Sequence, residues 1–473
     1  MKLPKSGASH DEVLKQMRQM RAEDAKWKDG RTFSLVYFAG DDVSALLKDA
    51  YGEFMAENGL SPMAFPSLRR FEAEVVKICA DLFHGDDEVC GTMTSGGSES
   101  VMMAVKTARE WARAKGIAHP EMILPTTIHP VFEKAGHYFD VKIHHAPIGP
   151  DFRVDVAAVE KLINPNTALI VGSAMPYPHG VVDPITELAA LAQRKGLLCH
   201  VDACLGGFIL PFARKLGRQI PPFDFEVPGV TSLSADLHKY GFAAKGASTI
   251  TYRSLELLKH QMFVCEDWPG GVFASPALLG TRPGGAYAAA WAAMQRFGVD
   301  GYRDLAARTQ EAFLHMRRGV EALPELKVLG EPHGPLLAYA SATAEVNIFA
   351  VGDQMDAKGW QVNRLQFPDG LHAMITAQHL PVIDDYLRDL REAVATVRAD
   401  PSLAGKGHAA TYGMMAHLPL RGMVRHKVLE LFANSYRAGG PPLSLDAPGG
   451  DREAPRPLLE RLAAHYVAWR QRR

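Results

Sequence analysis

A histidine–lysine pair follows an apolar run in the stretch SADLHKYGFAAKG, Ser234 to Gly246. SLSADL predicts a β-strand, so His238 and Lys239 stand at a strand end, and a second lysine, Lys245, comes six positions later. Burial lowers the pKa of a lysine in such a place, and its amine can then form a Schiff base with an aldehyde. Lys239 is therefore a candidate for covalent chemistry.

Two other stretches hold polar groups that could bind a ligand. TSGGSES, Thr94 to Ser100, precedes a helical pattern, and glycines and hydroxyls at a helix start suit a phosphate dianion. Ser98 would serve equally well as an ordinary N-cap. In LLCHVDACLGGF, Asp202 ends an apolar strand, where it could cap a loop or pair with a protonated ring nitrogen.

These three features together predict one cofactor. A phosphate cup, a carboxylate for a pyridinium nitrogen and a Schiff-base lysine 37 positions later are the parts that pyridoxal phosphate requires. A fourth feature fits, since His129 in TTIHPVFEKA precedes a helix that can begin at Pro130. Its imidazole could stack on the pyridine ring, or it could be a capping or core histidine.

Composition excludes several other classes of protein. The 473 residues include 52 Lys plus Arg and 53 Asp plus Glu, so no broad charge attracts nucleic acid. The five cysteines are an odd number and form no CxxC pair, which argues against a disulfide framework and against a zinc ribbon. The sequence shows no signal-peptide pattern and no transmembrane segment. We expect a cytoplasmic protein without a metal or a nucleic-acid partner.

The elements that must position these residues alternate along the chain. The helical patterns FEAEVVKICADLF and ITELAALAQRKG alternate with the apolar runs VKIHHAPI, TALIVGSA, LLCHVDAC, SLSADL and STITYR. This order predicts an α/β fold with a mostly parallel sheet covered on both faces, and ligands bind beyond the carboxyl ends of such strands. After residue 325 the runs LKVLG, LLAYASA, AEVNIFAV and HAMITAQH predict the strands of a small α+β C-terminal domain.

The predicted organisation has four parts. Residues 1–58 form an N-terminal arm with an amphipathic helix at 10–28, 59–325 the large cofactor-binding domain, and 326–437 the small domain. Residues 438–473 comprise a Pro/Gly-rich loop and a basic helix, PLLERLAAHYVAWRQRR. That helix would pack on the body or on a dimer partner, with peripheral membrane contact as the alternative.

The motifs TSGGSES, HVDACLGGF, SADLHKYGFAAKG and GTRPGG resemble the fold-type I, group II pyridoxal-phosphate enzymes, which include amino-acid decarboxylases. The sequence more narrowly resembles the sphingosine-1-phosphate lyases through VYFAGD, FPSLRRFEAEVV, MPYPHGVVDP, DWPGGVFASP and LQFPDGLH, from about residue 33 to 415. The resemblance implies a seven-stranded, mostly parallel sheet and a homodimer whose sites draw on both subunits.

The resemblance also implies a role for each matching residue. Lys239 would bind the cofactor covalently, Asp202 would pair with its ring nitrogen, and His129 would stack on the ring. The residues expected around its phosphate are Ser95, Gly96, Gly97 and His238, with Gly280 and Thr281 from the other subunit. The residues expected to act on the substrate are Lys245 near its phosphate, Tyr37 and Tyr177 as active-site tyrosines, and Tyr412 as a weaker candidate.

One position departs from the family pattern. Ser61, in NGLSPMAFPSLRR, stands where the family has a histidine that approaches the substrate phosphate. Serine donates a hydrogen bond but carries no positive charge. The departure puts substrate affinity or turnover in question, and a different phosphorylated amine is one explanation.

The implied reaction is retro-aldol cleavage of a phosphorylated sphingoid base, sphingosine 1-phosphate or dihydrosphingosine 1-phosphate, to a long-chain fatty aldehyde and phosphoethanolamine. Two alternatives stay open. An amino-acid decarboxylase of the same fold would release carbon dioxide instead of an aldehyde, and an inactive homologue would only bind the cofactor or a lipid phosphate.

Overall fold

In the computed structural model, which describes residues 2–417 and 421–440, the chain forms two compact units. One unit consists of Phe33–Ala340 and His372–Leu387. The other consists of the residues up to Thr32, Ser341–Leu371 and the described residues from Arg388 onward. The predicted basic C-terminal helix lies outside the described residues, and the predicted domain boundaries stay a prediction.

Helices and strands alternate through most of the chain. The strands are β1 (Cys90–Thr94), β2 (Glu121–Pro125), β3 (Lys142–Ala146), β4 (Thr167–Ser173), β5 (Leu198–Asp202), β6 (Ser232–Ala235), β7 (Ser248–Tyr252), β8 (Phe263–Cys265), β9 (Phe273–Ser275), β10 (Leu326–Val328), β11 (Leu336–Ser341), β12 (Asn363–Leu365) and β13 (Gly370–Met374). The helices are α1 (His10–Met20), α2 (Asp41–Glu53), α3 (Pro66–Leu82), α4 (Gly97–Ala114), α5 (Val131–Phe139), α6 (Val156–Leu162), α7 (Ile185–Lys195), α8 (Leu210–Lys215), α9 (Leu255–Lys259), α10 (Gly284–Glu321), α11 (Ile348–Ala357), α12 (Ile383–Ala399), α13 (Gly407–His417) and α14 (Arg421–Ser435).

The main sheet has seven strands in the order β1-β7-β6-β5-β4-β2-β3. Strand β7 is antiparallel to both of its neighbours, and the other neighbouring pairs are parallel. The carboxyl ends of β1, β2, β4, β5 and β6 therefore meet at one edge. The predicted mostly parallel, seven-stranded sheet is confirmed.

The central strands are buried on both faces. Ile123 and Ile170 belong to one apolar cluster, whereas their neighbours Met122, Leu124 and Leu169 belong to another. Successive strand side chains point to opposite faces, so the two clusters are the two faces of the sheet. Helices cover both clusters, as the near-continuous apolar runs predicted.

The C-terminal part of the chain contains a second sheet, with the strand order β10-β11-β13-β12. One predicted strand is wrong there, because the run AEVNIFAV leads into helix α11. The side chain of Asn347 accepts hydrogen bonds from the amides of Phe349 and Ala350 and caps that helix. A short apolar run does not distinguish a buried helix from a strand, and the capping asparagine decides the outcome here.

The longest helix is interrupted. Helix α10 has a break at Gly298, whose φ of 53° and ψ of −168° are not helical. Among the described residues no helix is long and apolar enough to cross a membrane.

Candidate active site

The predicted cofactor residues meet at the carboxyl edge of the main sheet. Asp202 is the last residue of β5, and Lys239 lies in the turn after β6. The stretch Ser95–Gly97 joins the carboxyl end of β1 to the first turn of α4. Ligands bind at this edge in parallel α/β sheets, so the topology itself brings the three predicted features together.

Lys239 is held by a carboxylate that the sequence reasoning missed. Its Nζ lies 2.8 Å from Oδ2 of Asp236, which is 2% exposed. Burial is the largest single influence and would lower the pKa of Lys239, but the charge and hydrogen bond of Asp236, together with Cys204 and Tyr37, outweigh it, and the pKa is raised above its ordinary value. The expectation of a lowered pKa for Lys239 is wrong for this reason. Asp236 stands three positions before Lys239 inside the quoted motif, which was the available signal.

The predicted phosphate cup has no room for side chains. Gly96 has a φ of +156°, and a Cβ there would lie 3.2 Å from Cε1 of His238. A Cβ on Gly97 would lie 2.8 Å from both carboxylate oxygens of Asp236 and 2.9 Å from Sγ of Cys204. The first amides of a helix have no acceptor within the helix, so glycines here let a ligand approach the start of α4 closely.

Ser95 does not point its donors freely into this cup. Its amide and its hydroxyl both donate to Oε2 of Glu99, at 2.8 and 2.6 Å. The neighbouring His238 accepts a hydrogen bond from the Ala247 amide at Nδ1, and burial lowers its pKa. The ring of His238 lies beside Gly96, and Ser95 is engaged with its own helix; that either residue contacts a phosphate stays a prediction.

Asp202 and His129 face the same site. Oδ1 of Asp202 accepts hydrogen bonds from the Cys204 amide at 3.1 Å and from the Ser234 hydroxyl at 3.5 Å. Nδ1 of His129 accepts from the Val131 amide at 3.2 Å. Desolvation lowers the pKa of His129, while the nearby charges of Asp202 and Lys239 act on it in opposite directions. His129, Asp202 and Lys239 are therefore near enough for their charges to interact, and the ring-stacking and ring-pairing roles stay predictions.

The candidate substrate residues border the lysine. Burial raises the pKa of Tyr37, and the charges of Lys239, Asp236 and Tyr177 also act on it, so these groups are near enough to interact electrostatically. Nζ of Lys245 lies 5.2 Å from the centre of the Tyr37 ring and donates to the backbone carbonyl of His238 at 3.2 Å. The surrounding protein partly desolvates the exposed Lys245, and this desolvation, reinforced by the charge of Lys239, lowers its pKa to about 8.

The remaining candidates make contacts of other kinds. Thr281 accepts a hydrogen bond from Nδ2 of Asn58 at 3.3 Å, and the Cβ position of Gly280 is open. The backbone carbonyl of Ser61 accepts from the amide of Phe65 at 3.1 Å. Tyr412 belongs to the other unit, where its ring lies 6.1 Å from the Phe349 ring. Their functional roles stay predictions.

Pyridoxal phosphate fits the polar groups at this edge. Several buried side-chain oxygens lack a hydrogen-bond partner among the described residues, and three of them belong to residues at this edge: Oγ1 of Thr127, Oγ of Ser173 and Oδ1 of Asp236. They lie just after β2, at the end of β4 and just after β6. Buried polar atoms are normally paired, so orphaned atoms at three neighbouring strand ends indicate a polar ligand. The Lys239 amine, the Asp202 carboxylate and the glycine-lined start of α4 complete the set of groups that could bind this cofactor.

Comparison with known proteins agrees with this geometry. The family model described as the pyridoxal-dependent decarboxylase conserved domain matches residues 1–341. A sphingosine-1-phosphate lyase of Arabidopsis thaliana is 45% identical over 434 residues, covering 90% of this chain and 79% of the relative. The solved sphingosine-1-phosphate lyase of Burkholderia pseudomallei is 38% identical with a TM-score of 0.83, covering 91% of this chain and 97% of that one. A Lactobacillus brevis glutamate decarboxylase shares the fold at 23% identity and a TM-score of 0.75, covering 84% and 95%.

Proposed function

The chain belongs to the pyridoxal-dependent decarboxylase family and, within it, to the sphingosine-1-phosphate lyases, and we propose that it cleaves phosphorylated sphingoid bases with pyridoxal phosphate as cofactor. The products are a long-chain fatty aldehyde and phosphoethanolamine. The observation that carries the proposal is the grouping of Lys239, Asp202 and the start of α4 at one sheet edge, with Lys245 and Tyr37 beside them.

The cofactor residues would divide the binding between them. Nζ of Lys239 is the amine for covalent attachment, the Asp202 carboxylate would hold the ring nitrogen protonated, and the His129 ring would cover one face. The amides of Gly96 and Gly97 would hold the phosphate. Bound pyridoxal phosphate supplies an electron sink for the electron pair of the breaking carbon–carbon bond.

The residues around Lys239 would handle the substrate. Lys245 supplies positive charge for the substrate phosphate and donates hydrogen bonds to it from Nζ. During cleavage the substrate hydroxyl loses its proton, the bond between the hydroxyl-bearing and amine-bearing carbons breaks, and the amine-bearing carbon gains a proton. We assign these transfers to Nζ of Lys239 and to the hydroxyl of Tyr37 or Tyr177, which lie close together.

A homodimer completes the proposal. Phe263, Val264, Trp268 and Val272 on the β8-β9 hairpin are between 55% and 74% exposed. An exposed apolar patch of this kind favours a protein partner, and this one lies shortly before Gly280–Thr281, the stretch expected to enter the neighbouring site. Sedimentation velocity tests the dimer, and a monomer at micromolar concentration would contradict it.

We further propose that the enzyme works in the cytoplasm. Fractionation of the native cells, with aldehyde-lyase activity as the marker, would test this location.

Product analysis tests the reaction. Purified protein with pyridoxal phosphate and dihydrosphingosine 1-phosphate should release fatty aldehyde and phosphoethanolamine in equal amounts. Release of carbon dioxide from an amino acid without aldehyde would favour the decarboxylase alternative, and binding without turnover would favour an inactive homologue.

Borohydride reduction and peptide mapping test the covalent residue. The reduced cofactor should be found on Lys239, and Lys239→Arg should remove the label. A label on another lysine would overturn the assignment.

A further inference from the structure

Glu99, in the first turn of α4, joins two distant parts of the chain. It is 5% exposed, and Oε2 accepts hydrogen bonds from the amide and the hydroxyl of Ser95. Oε1 accepts from the amides of Leu278 and Leu279, at 3.0 and 3.4 Å. A single carboxylate thus ties the phosphate cup to the segment Leu278–Thr281.

These bonds are not those of an ordinary helix cap. In a capping box the residue at the third helical position bonds back to the amide of the N-cap, which is Gly96 here. Glu99 instead bonds to Ser95, one residue earlier, and sends its other oxygen to a segment about 180 positions away in the chain. A cap would need neither contact.

The hydrogen bonds of Glu99 determine which N–H and O–H groups of Ser95–Gly97 remain available to a phosphate. Because Glu99 takes both donors of Ser95, the amides that follow at the start of α4 are left to bind the ligand. The carboxylate fixes Ser95, the residue directly before those amides. The same carboxylate anchors the residues directly before Gly280 and Thr281, whose other side-chain anchor is the Asn58 bond to Thr281.

We propose that Glu99 is a positioning residue that couples binding of the cofactor phosphate to the placement of Leu278–Thr281. The inference rests on the proposed use of pyridoxal phosphate. A phosphate bound in the cup would hold Ser95 and Glu99 in place, and Glu99 would in turn hold the Leu278 and Leu279 amides. Phosphate binding should therefore protect these two amides from hydrogen exchange. If Glu99 served only folding, its substitution would change the affinities for all cofactor analogues by the same factor.

The test compares two ligands that differ only in the phosphate. Affinities for pyridoxal phosphate and for pyridoxal are measured by absorbance in wild type, in Glu99→Gln, and in the control Glu110→Gln on the same helix, where Glu110 bonds to Arg109. Glutamine keeps the shape of glutamate but replaces one acceptor oxygen with a donor. We expect at least tenfold weaker binding of pyridoxal phosphate in Glu99→Gln, less than twofold change for pyridoxal, and no change in Glu110→Gln.

Hydrogen exchange gives a second readout. In wild type, pyridoxal phosphate should slow exchange at the Leu278 and Leu279 amides, and in Glu99→Gln this protection should be lost. Equal weakening of both ligands, or protection that survives the substitution, would overturn the proposal. If Glu99→Gln fails to fold, Glu99→Asp, which keeps the charge but shortens the side chain by one carbon, takes its place in both measurements and should show the same phosphate-specific loss and the same loss of protection. Failure of wild type to bind pyridoxal phosphate would instead refute the proposed function.

Discussion

Lys245 should give the enzyme a defined alkaline limit. Its pKa is lowered to about 8, so the ammonium is charged below that pH and neutral above it. The profile of kcat/KM reports groups of the free enzyme, and productive capture of the substrate phosphate requires the charged form. The charged fraction falls from about nine-tenths at pH 7 to about one-tenth at pH 9, so kcat/KM for a phosphorylated sphingoid base should fall about tenfold.

Two substitutions isolate this effect. Lys245→Arg keeps a positive charge to above pH 12, so its profile should lack the alkaline fall near pH 8. Lys245→Met removes the charge at every pH and should lower kcat/KM roughly 10- to 100-fold at pH 7, as expected for loss of a charge-assisted hydrogen bond.

The assay is the rate of aldehyde release between pH 6 and 10, expressed as the ratio of wild type to Lys245→Arg at each pH. The ratio cancels every group that the two proteins share, including the substrate phosphate. A ratio that stays constant through pH 8 would show that Lys245 does not titrate as described, and an unaffected Lys245→Met would show that it does not hold the phosphate.

Three further substitutions test the site. Asp236→Asn removes the charge that opposes burial, so the pKa of Lys239 should fall. The pH midpoint of pyridoxal phosphate binding to the cofactor-free protein, followed by absorbance, should then move to lower pH. An unchanged midpoint would contradict the ion pair. Gly97→Ala places a Cβ 2.8 Å from both Asp236 oxygens, so cofactor affinity should fall at least about tenfold, whereas Gly52→Ala, with nothing within 4 Å, should bind normally. Ser61→His adds a group charged below about pH 6.5, so KM for the substrate should fall more at pH 6 than at pH 8 in steady-state assays, and a uniform change would argue against a phosphate contact.

The sequence predicted the large sheet well because its signals are local. Near-continuous apolar runs such as β4 and β5 are typical of strands buried on both faces, and helical patterns between them require parallel neighbours. Helix α11 was mispredicted because its apolar run is short and the asparagine cap at Asn347 was overlooked. The order of the strands across the sheet depends on long-range pairing, which no local pattern contains.

The candidate site was predictable only to the level of residue type. Asp236 and Glu99 both lie inside motifs that were singled out, yet neither was assigned a role. Their importance depends on distances, 2.8 Å to the Lys239 ammonium for one and four hydrogen bonds for the other. A spacing along the chain does not state which side chain a buried carboxylate faces.

The two lysines of the opening motif show how far neighbouring charge outweighs residue type. Both are partly desolvated, which alone would lower both pKa values. Asp236, with smaller contributions from Cys204 and Tyr37, reverses this for Lys239, whose pKa is raised, whereas desolvation and the charge of Lys239 lower the pKa of Lys245 to about 8. Lys245, not Lys239, is therefore the amine that titrates near neutral pH, and the charge of Asp236 also acts directly on Lys245, whose pKa it raises. Removing Asp236 should consequently affect both lysines, not only the one it touches.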